Sequence, residues 1–159
     1  MFEIKQGTVT FKSNAPLENI NAESAMLTGL VSLDQNTFAF SVDVNSFKGF
    51  NSSLQQEHFY ENYMETDIYP RATFSGKLID KFNPDLQSQK IRAKGNLDIH
   101  GVKQERIIDV VITKKGDHYL IVSDFNVPLV DHNIRIPKVV YQKIAENINI
   151  KVQGEMVRK

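Results

Sequence analysis

Four histidines, His58, His100, His118 and His132, are the side chains of this chain with the widest chemical range. His58 sits among Glu57, Glu61, Glu65 and Asp67, residue types that could offer a divalent metal a carboxylate–histidine site. No two histidines stand at a tight ligand spacing such as H-x-x-x-H, and a solvated acidic helix face explains the same residues, so no metal ligand is assigned. His100 falls on the polar side of an alternating strand and reads as a corner pinned by hydrogen bonds. His132, beside Asp131, Asn133 and Arg135, reads as part of an ordinary surface loop. Asp109, Asp124 and Asp131 are the carboxylates that paired acid–base chemistry would use, but nothing in their spacing brings two together. There is no G-x-S-x-G elbow, Walker loop or dinucleotide glycine fingerprint. The absence of cysteine removes thiolate nucleophiles, thiolate metal sites and disulfides. These residues specify no catalytic set and no cofactor.

The elements around them follow a period of two. Phe38, Phe40, Val42 and Val44 share one face against Thr37, Ala39, Ser41 and Asp43. Ala72, Phe74, Gly76 and Leu78 oppose Thr73, Ser75 and Lys77. Ile91, Ala93, Gly95, Leu97 and Ile99 oppose Arg92, Lys94, Asn96, Asp98 and His100. Ile148, Ile150, Val152 and Met156 oppose Asn149, Lys151, Gln153 and Glu155. Such alternation marks half-buried antiparallel strands. Less regular strands are expected at Thr8–Lys12, Ala25–Leu33, Arg106–Thr113 and Tyr119–Leu129. Turn chemistry falls at Asp34-Gln35-Asn36, Asn83-Pro84-Asp85 and Lys115-Gly116-Asp117; Ser13–Ala22 reads as a loop or bulged edge. Two segments break the period. Asn51–Met64 predicts a short helix capped by Ser52 or Ser53, and Pro137–Glu146 predicts a second, with Ile136, Val140 and Ile144 on one face. About eight strands with two short helical insertions predict an all-β, closed antiparallel barrel, since closure removes exposed edges.

The 159 residues suit a single domain spanning 1–159, large enough to bury a sizeable core. Nineteen Lys plus Arg balance nineteen Asp plus Glu, so there is no basic field for nucleic acid. Lys12, Lys48, Lys90, Arg92 and Lys94 are scattered, as on a solvated barrel exterior. No apolar run approaches the ~20 residues that cross a bilayer. Met1-Phe2-Glu3-Ile4 already reads as strand, so the chain is expected to be either cytoplasmic or an exported protein whose leader has been removed.

The segment His58–Gly76, HFYENYMETDIYPRATFSG, passes from an aromatic helical turn through a Tyr69-Pro70 corner into a strand carrying Phe74. Gly95–Val102, GNLDIHGV, is a strand ending at His100-Gly101, and Asp124-Phe125-Asn126-Val127 follows later. Together these resemble the YceI-like proteins, also called the polyisoprenoid-binding or lipid-binding domain, from about Gly7 to Val157. The resemblance implies an eight-stranded lipocalin-like barrel with a helix closing one end, and a long apolar cavity holding an isoprenoid, quinone-like or fatty-acyl ligand. Members are commonly small exported bacterial proteins, which implies a periplasmic or otherwise exported location. Where many members carry an arginine–aspartate pair before the helix, this chain reads Asn51-Ser52-Ser53-Leu54, so no head-group contact is assigned to that pair.

The apolar strand faces alone are compatible with a packed core; the resemblance turns them into a cavity wall. The expected lining is Phe38, Phe40, Val42, Leu54, Phe59, Tyr63, Phe74, Leu97, Ile99, Phe125, Val127, Ile150 and Val152, with His58, Tyr69 and Arg71 at the mouth beside a head group. The expected function is non-enzymatic binding, sequestration or transport of a long-chain amphipathic lipid. The alternatives are an enzyme acting on a lipid-like substrate in the same cavity and a packed barrel serving as an interaction module. The expected partner is the lipid; a homodimer is an open alternative, and nucleic acid is not expected.

Overall fold

A computed structural model describes residues 1–136 and 144–159. Eight strands follow one another around a closed antiparallel barrel: β1 Phe2–Asn14, β2 Asn19–Ser32, β3 Thr37–Asp43, β4 Arg71–Leu78, β5 Ser88–Ile99, β6 Val102–Lys115, β7 His118–Pro128 and β8 Asn147–Arg158. The ring closes where β1 pairs with β8, for example Val9 with Val152 and Phe11 with Ile150. The alternating faces fall as expected. Phe38, Ile91, Ala93, Leu97 and Met156 are buried, while Ser75, Arg92, Lys94, Lys151 and Glu155 are exposed. The charged exterior is neutralised across strands, with Lys90 Nζ 3.2 Å from Asp109 and Lys94 Nζ 3.6 Å from Glu105. Arg92 grips Asp80 with two hydrogen bonds of 3.1 and 2.8 Å, and these hold the Asp80 carboxyl down at about 2.

The irregular segment expected at Ser13–Ala22 is mostly strand. β1 runs to Asn14, a tight turn closes with the Ala15 N–H on the Glu18 carbonyl at 3.1 Å, and β2 begins at Asn19. Ser13 obscures the pattern because it is a polar residue at a buried position, where its Oγ accepts the Ala145 N–H at 2.9 Å. Between β3 and β4 lies the expected helix. Ser52 caps it, its Oγ accepting the Gln55 N–H at 3.1 Å. The winding is α over Ser53–Glu57 (α1) and π over His58–Tyr63. The second expected helix, Pro137–Glu146, falls largely outside the described residues; the chain before it makes a 3-10 turn at Leu129–His132.

Two features shape the barrel. Gly76 and Gly95 face each other across β4 and β5. A Cβ on Gly76 would lie 2.1 Å from the Lys94 carbonyl oxygen, and one on Gly95 would lie 2.1 Å from that of Ser75 and 3.1 Å from the Phe38 ring. Only glycine permits this approach, and it lets the sheet bend sharply there. The second feature is the β6–β7 seam. Backbone pairing runs from Lys115↔His118 only as far as Val110↔Ser123. Beyond it, side chains take over the carbonyls: Arg106 donates to Asn126 at 2.8 Å, Gln104 to Asp131 at 2.7 Å, and Ser123 Oγ to Asp109 at 2.8 Å.

The β5–β6 hairpin turns on two residues, His100 and Gly101, both at positive φ (57° and 72°), a type I′ geometry. Histidine tolerates the left-handed region better than most residues. Here its ring is also tied down, Nδ1 donating to the His132 carbonyl at 3.0 Å and Nε2 lying 2.9 Å from Glu65 Oε1. The Tyr69 ring packs edge-on against it at 4.8 Å. His132, expected in a surface loop, is instead fully buried, its Nδ1 donating to the Val102 carbonyl at 2.9 Å. The 3-10 turn and the left-handed Asn133 tuck the ring under the hairpin, where no strand period could have signalled it.

Two outcomes test this fold. Gly76→Val should cost at least about 3 kcal/mol, because the clash is with backbone that cannot step aside; Gly116→Asn, where an added Cβ meets nothing, should cost about 1 kcal/mol or less. Urea denaturation midpoints measure both. His100→Asn keeps a residue suited to positive φ but loses the ring contacts, and should still lower stability by roughly 1–3 kcal/mol; an unchanged midpoint would show that the turn alone holds the corner.

Candidate functional site

An eight-stranded barrel is just wide enough to be filled by side chains or to hold one small ligand. Phe40, Phe74, Ile99, Phe125, Ile150 and Val152 all point inward by register, yet each is only half-buried. The exposed part of each faces an internal cavity of about 350 Å³. The far end of the barrel is solid: Ile4, Ile91 and Met156 are each 1% exposed, and Phe2, Phe38 and Tyr119 pack with them. At the helical end a second cluster forms a roof, with Phe11 stacked on Phe59 at 5.0 Å and Phe47 and Phe50 against the same ring. The wall between runs from Ile91 to Ile99 on β5 and from Ile148 to Met156 on β8. Eight residue steps span roughly 26 Å of strand, or about 20 Å along a tilted barrel.

The structure brings all thirteen expected lining residues to this cavity: Phe38, Phe40, Val42, Leu54, Phe59, Tyr63, Phe74, Leu97, Ile99, Phe125, Val127, Ile150 and Val152. Leu54 is 59% exposed and therefore marks the rim. Of the three expected mouth residues, His58 lines the cavity. Tyr69 and Arg71 do not. Tyr69 is spent on the His100-Gly101 corner, where an added Cβ on Gly101 would lie 2.4 Å from its ring. Arg71 points outward from β4, with Nε 3.3 Å from Asp43 and Nη1 donating to Ser41 at 3.3 Å. Sequence reasoning missed Val9, Phe11, Leu27, Phe47 and Ile121. Val9 and Phe11 alternate and could have been found; Phe47 lies in a connection with no period.

It also missed Glu18, Ser52 and Gln55, which complete a polar rim with the expected His58 and Tyr63. Gln55, 8% exposed, donates from Nε2 to Glu18 Oε1 at 2.7 Å and accepts the Asn51 N–H at 2.8 Å. This ties α1 to the β1–β2 turn. Glu18, Ser52, Gln55, His58 and Tyr63 all line the cavity. Burial, and then the nearby Glu18 charge, push the Tyr63 phenol above its ordinary range, so it stays a hydrogen-bond donor. Burial alone does the same to Tyr60, whose O–H reaches the Phe47 and Asn45 carbonyls.

Among the described residues no three of His, Asp and Glu converge as metal ligands. Glu65 is committed to His100, Asp109 pairs with Lys90 outside the barrel, and Asp124 accepts from Asn149 at 2.7 Å. The Ser123 hydroxyl within the cavity wall is bonded to a backbone carbonyl. What this site offers chemically is a long apolar wall with a small polar rim.

Several solved structures share this architecture. A polyisoprenoid binding domain from Saccharophagus degradans, implicated in plant cell wall breakdown, superposes with a TM-score of 0.83 at 12% identity, covering 99% of this chain and 98% of its own. BcnA of Burkholderia cenocepacia gives 0.77 at 16% identity over 94% and 95%, and a Campylobacter jejuni YceI protein gives 0.68 at 16% over 89% and 86%. No curated protein sequence matches the chain. The sequence profile of the YceI-like domain matches residues 2–156, and the chain therefore belongs to the YceI-like family.

Proposed function

We propose that this protein binds a long-chain amphipathic lipid, a polyisoprenoid, an isoprenoid quinone or a fatty-acyl compound, and carries or sequesters it without chemical change. The observation that carries this reading is the set of inward apolar residues left half-bare around a cavity of about 350 Å³. Protein interiors are normally close-packed, with few voids larger than one water. An empty void of this size, at about 24 cal/mol per Å³, would cost on the order of 8 kcal/mol, comparable with the whole net stability of a domain. An apolar void does not recover that by taking up water. An apolar tail does, at about 0.8 kcal/mol per buried methylene, whereas one neutral head-group hydrogen bond nets only about 1 kcal/mol. The tail therefore dominates affinity, less the cost of ordering it.

The Saccharophagus degradans neighbour, described as a polyisoprenoid binding domain, supports the same ligand class. A carrier needs no acid–base pair, and the apolar wall supports binding rather than turnover. We extend the proposal to an exported compartment, with the periplasm foremost, where such a carrier would lift a tail from water and release it at a membrane. The cavity lies within one chain, so this activity requires no homodimer.

Native mass spectrometry of the purified protein should reveal a co-purifying lipid; a clean apoprotein mass, with no uptake of a fluorescent prenyl or acyl probe, would sink the proposal. Phe74→Asp puts a carboxylate on the cavity wall, and Ser75→Asp puts one on the outer face of the same strand. The first should weaken probe uptake more than tenfold with the barrel still folded by circular dichroism, and the second should leave uptake within about twofold. Equal effects would contradict a ligand lying against Phe74.

A further inference from the structure

The rim of the cavity carries a sign. Glu18 stands on the β1–β2 turn with its Oε1 fixed by the buried Gln55 at 2.7 Å. Gln55 is in turn held by the Asn51 N–H and sits at the capped start of α1. The carboxylate is thus positioned, not trailing in solvent. Its Oε2 and the Tyr63 hydroxyl have no hydrogen-bond partner among the described residues, and both residues line the cavity. Among the described lining residues Glu18 is the one carboxylate, and none is Lys or Arg. Arg106 does not line the cavity: it is bonded to the Asn126 carbonyl and covers the Phe125 ring at 5.7 Å.

We propose that this rim selects ligands with an uncharged, hydrogen-bonding head, a hydroxyl or a carbonyl, and rejects carboxylate and phosphate heads through Glu18. The inference rests on the lipid-carrier reading and narrows its ligand class. A hydroxyl head can donate to Glu18 Oε2, and a carbonyl head can accept from the Tyr63 O–H; both groups are already partly desolvated and need no counter-charge. An anionic head arriving at the same place meets a like charge held at short range. It would also have to shed hydration where no lysine or arginine among the described lining residues can replace it. The field of Glu18 reaches Tyr63, whose phenol is held above its ordinary range by burial and by that charge.

The test is displacement of bound phenylnaphthylamine, a neutral fluorescent probe, by dodecanol and by dodecanoate at about pH 8.5, where a carboxylic acid is ionised. The wild-type protein should bind dodecanoate at least tenfold more weakly than dodecanol. Because the two heads differ in hydration, the decisive quantity is the change on Glu18→Gln, which preserves a partner for Gln55. That variant should tighten dodecanoate about tenfold and leave dodecanol within threefold. Dodecanoate binding as tightly as dodecanol to the wild type, or a ratio unmoved by Glu18→Gln, overturns the proposal. Should Glu18→Gln unfold, Tyr63→Phe gives the second reading: binding of a dodecyl methyl ketone should fall about fivefold, and no change overturns the assigned donor. If neither dodecanol nor dodecanoate displaces a probe that does bind, head selection falls while a cavity remains; if the probe itself does not bind, the carrier reading falls first.

Discussion

Closure of β1 onto β8 is the constraint on which the rest of this structure depends. A closed ring of eight strands has only one inside, and where backbone pairing lapses at the β6–β7 seam, side chains cover the gap. Every alternating strand is thereby committed to a single choice, apolar in and polar out. The circumference, once set, fixes an interior that these side chains do not fill. Bending at the paired glycines of β4 and β5 belongs to the same geometry. A side chain at Gly76 or Gly95 would force the backbones apart, and the Phe38 ring covers the place where they meet.

The two ends of the ring have been finished differently, and the site follows from that difference. At one end Phe2, Ile4, Ile91, Tyr119 and Met156 interlock into a floor. At the other a helix is laid across the opening, with Phe59 against Phe11, Phe47 and Phe50, and a polar tether from Gln55 to Glu18 holds it on the rim. The neighbouring hairpin end is stiffened by His100, His132, Glu65 and Tyr69, four side chains spent on structure. The hollow between floor and roof is therefore bounded by rigid parts, which favours a pre-formed cavity over one opened by its ligand.

Much of this was legible in the sequence because alternation is a local signal with a global consequence. The run Phe38-Ala39-Phe40-Ser41-Val42 declares its inner face without knowledge of its neighbours, and Ser52 declares a cap. What escaped was set by tertiary contacts. His132 looks like a loop residue until the hairpin above it is known. Tyr69 and Arg71 sit at a corner that could face either the mouth or the outer wall, and the pairing of Arg71 with Asp43 turns it outward. Glu18 was hidden because Ser13 breaks the alternation just before the turn that carries it. Whether inward side chains interlock or stand apart depends on strand number and tilt, which no single strand encodes.

The most direct measurement is methyl nuclear magnetic resonance of the Ile, Leu and Val side chains while a long-chain prenol is titrated in. The account predicts shifts and ligand contacts at Leu97, Ile99, Ile150 and Val152, which line the cavity, with none at Ile107 and Val111, which are exposed on the outer face of β6. Shifts confined to the outer methyls, or absent at saturating prenol, would contradict a ligand held inside the barrel.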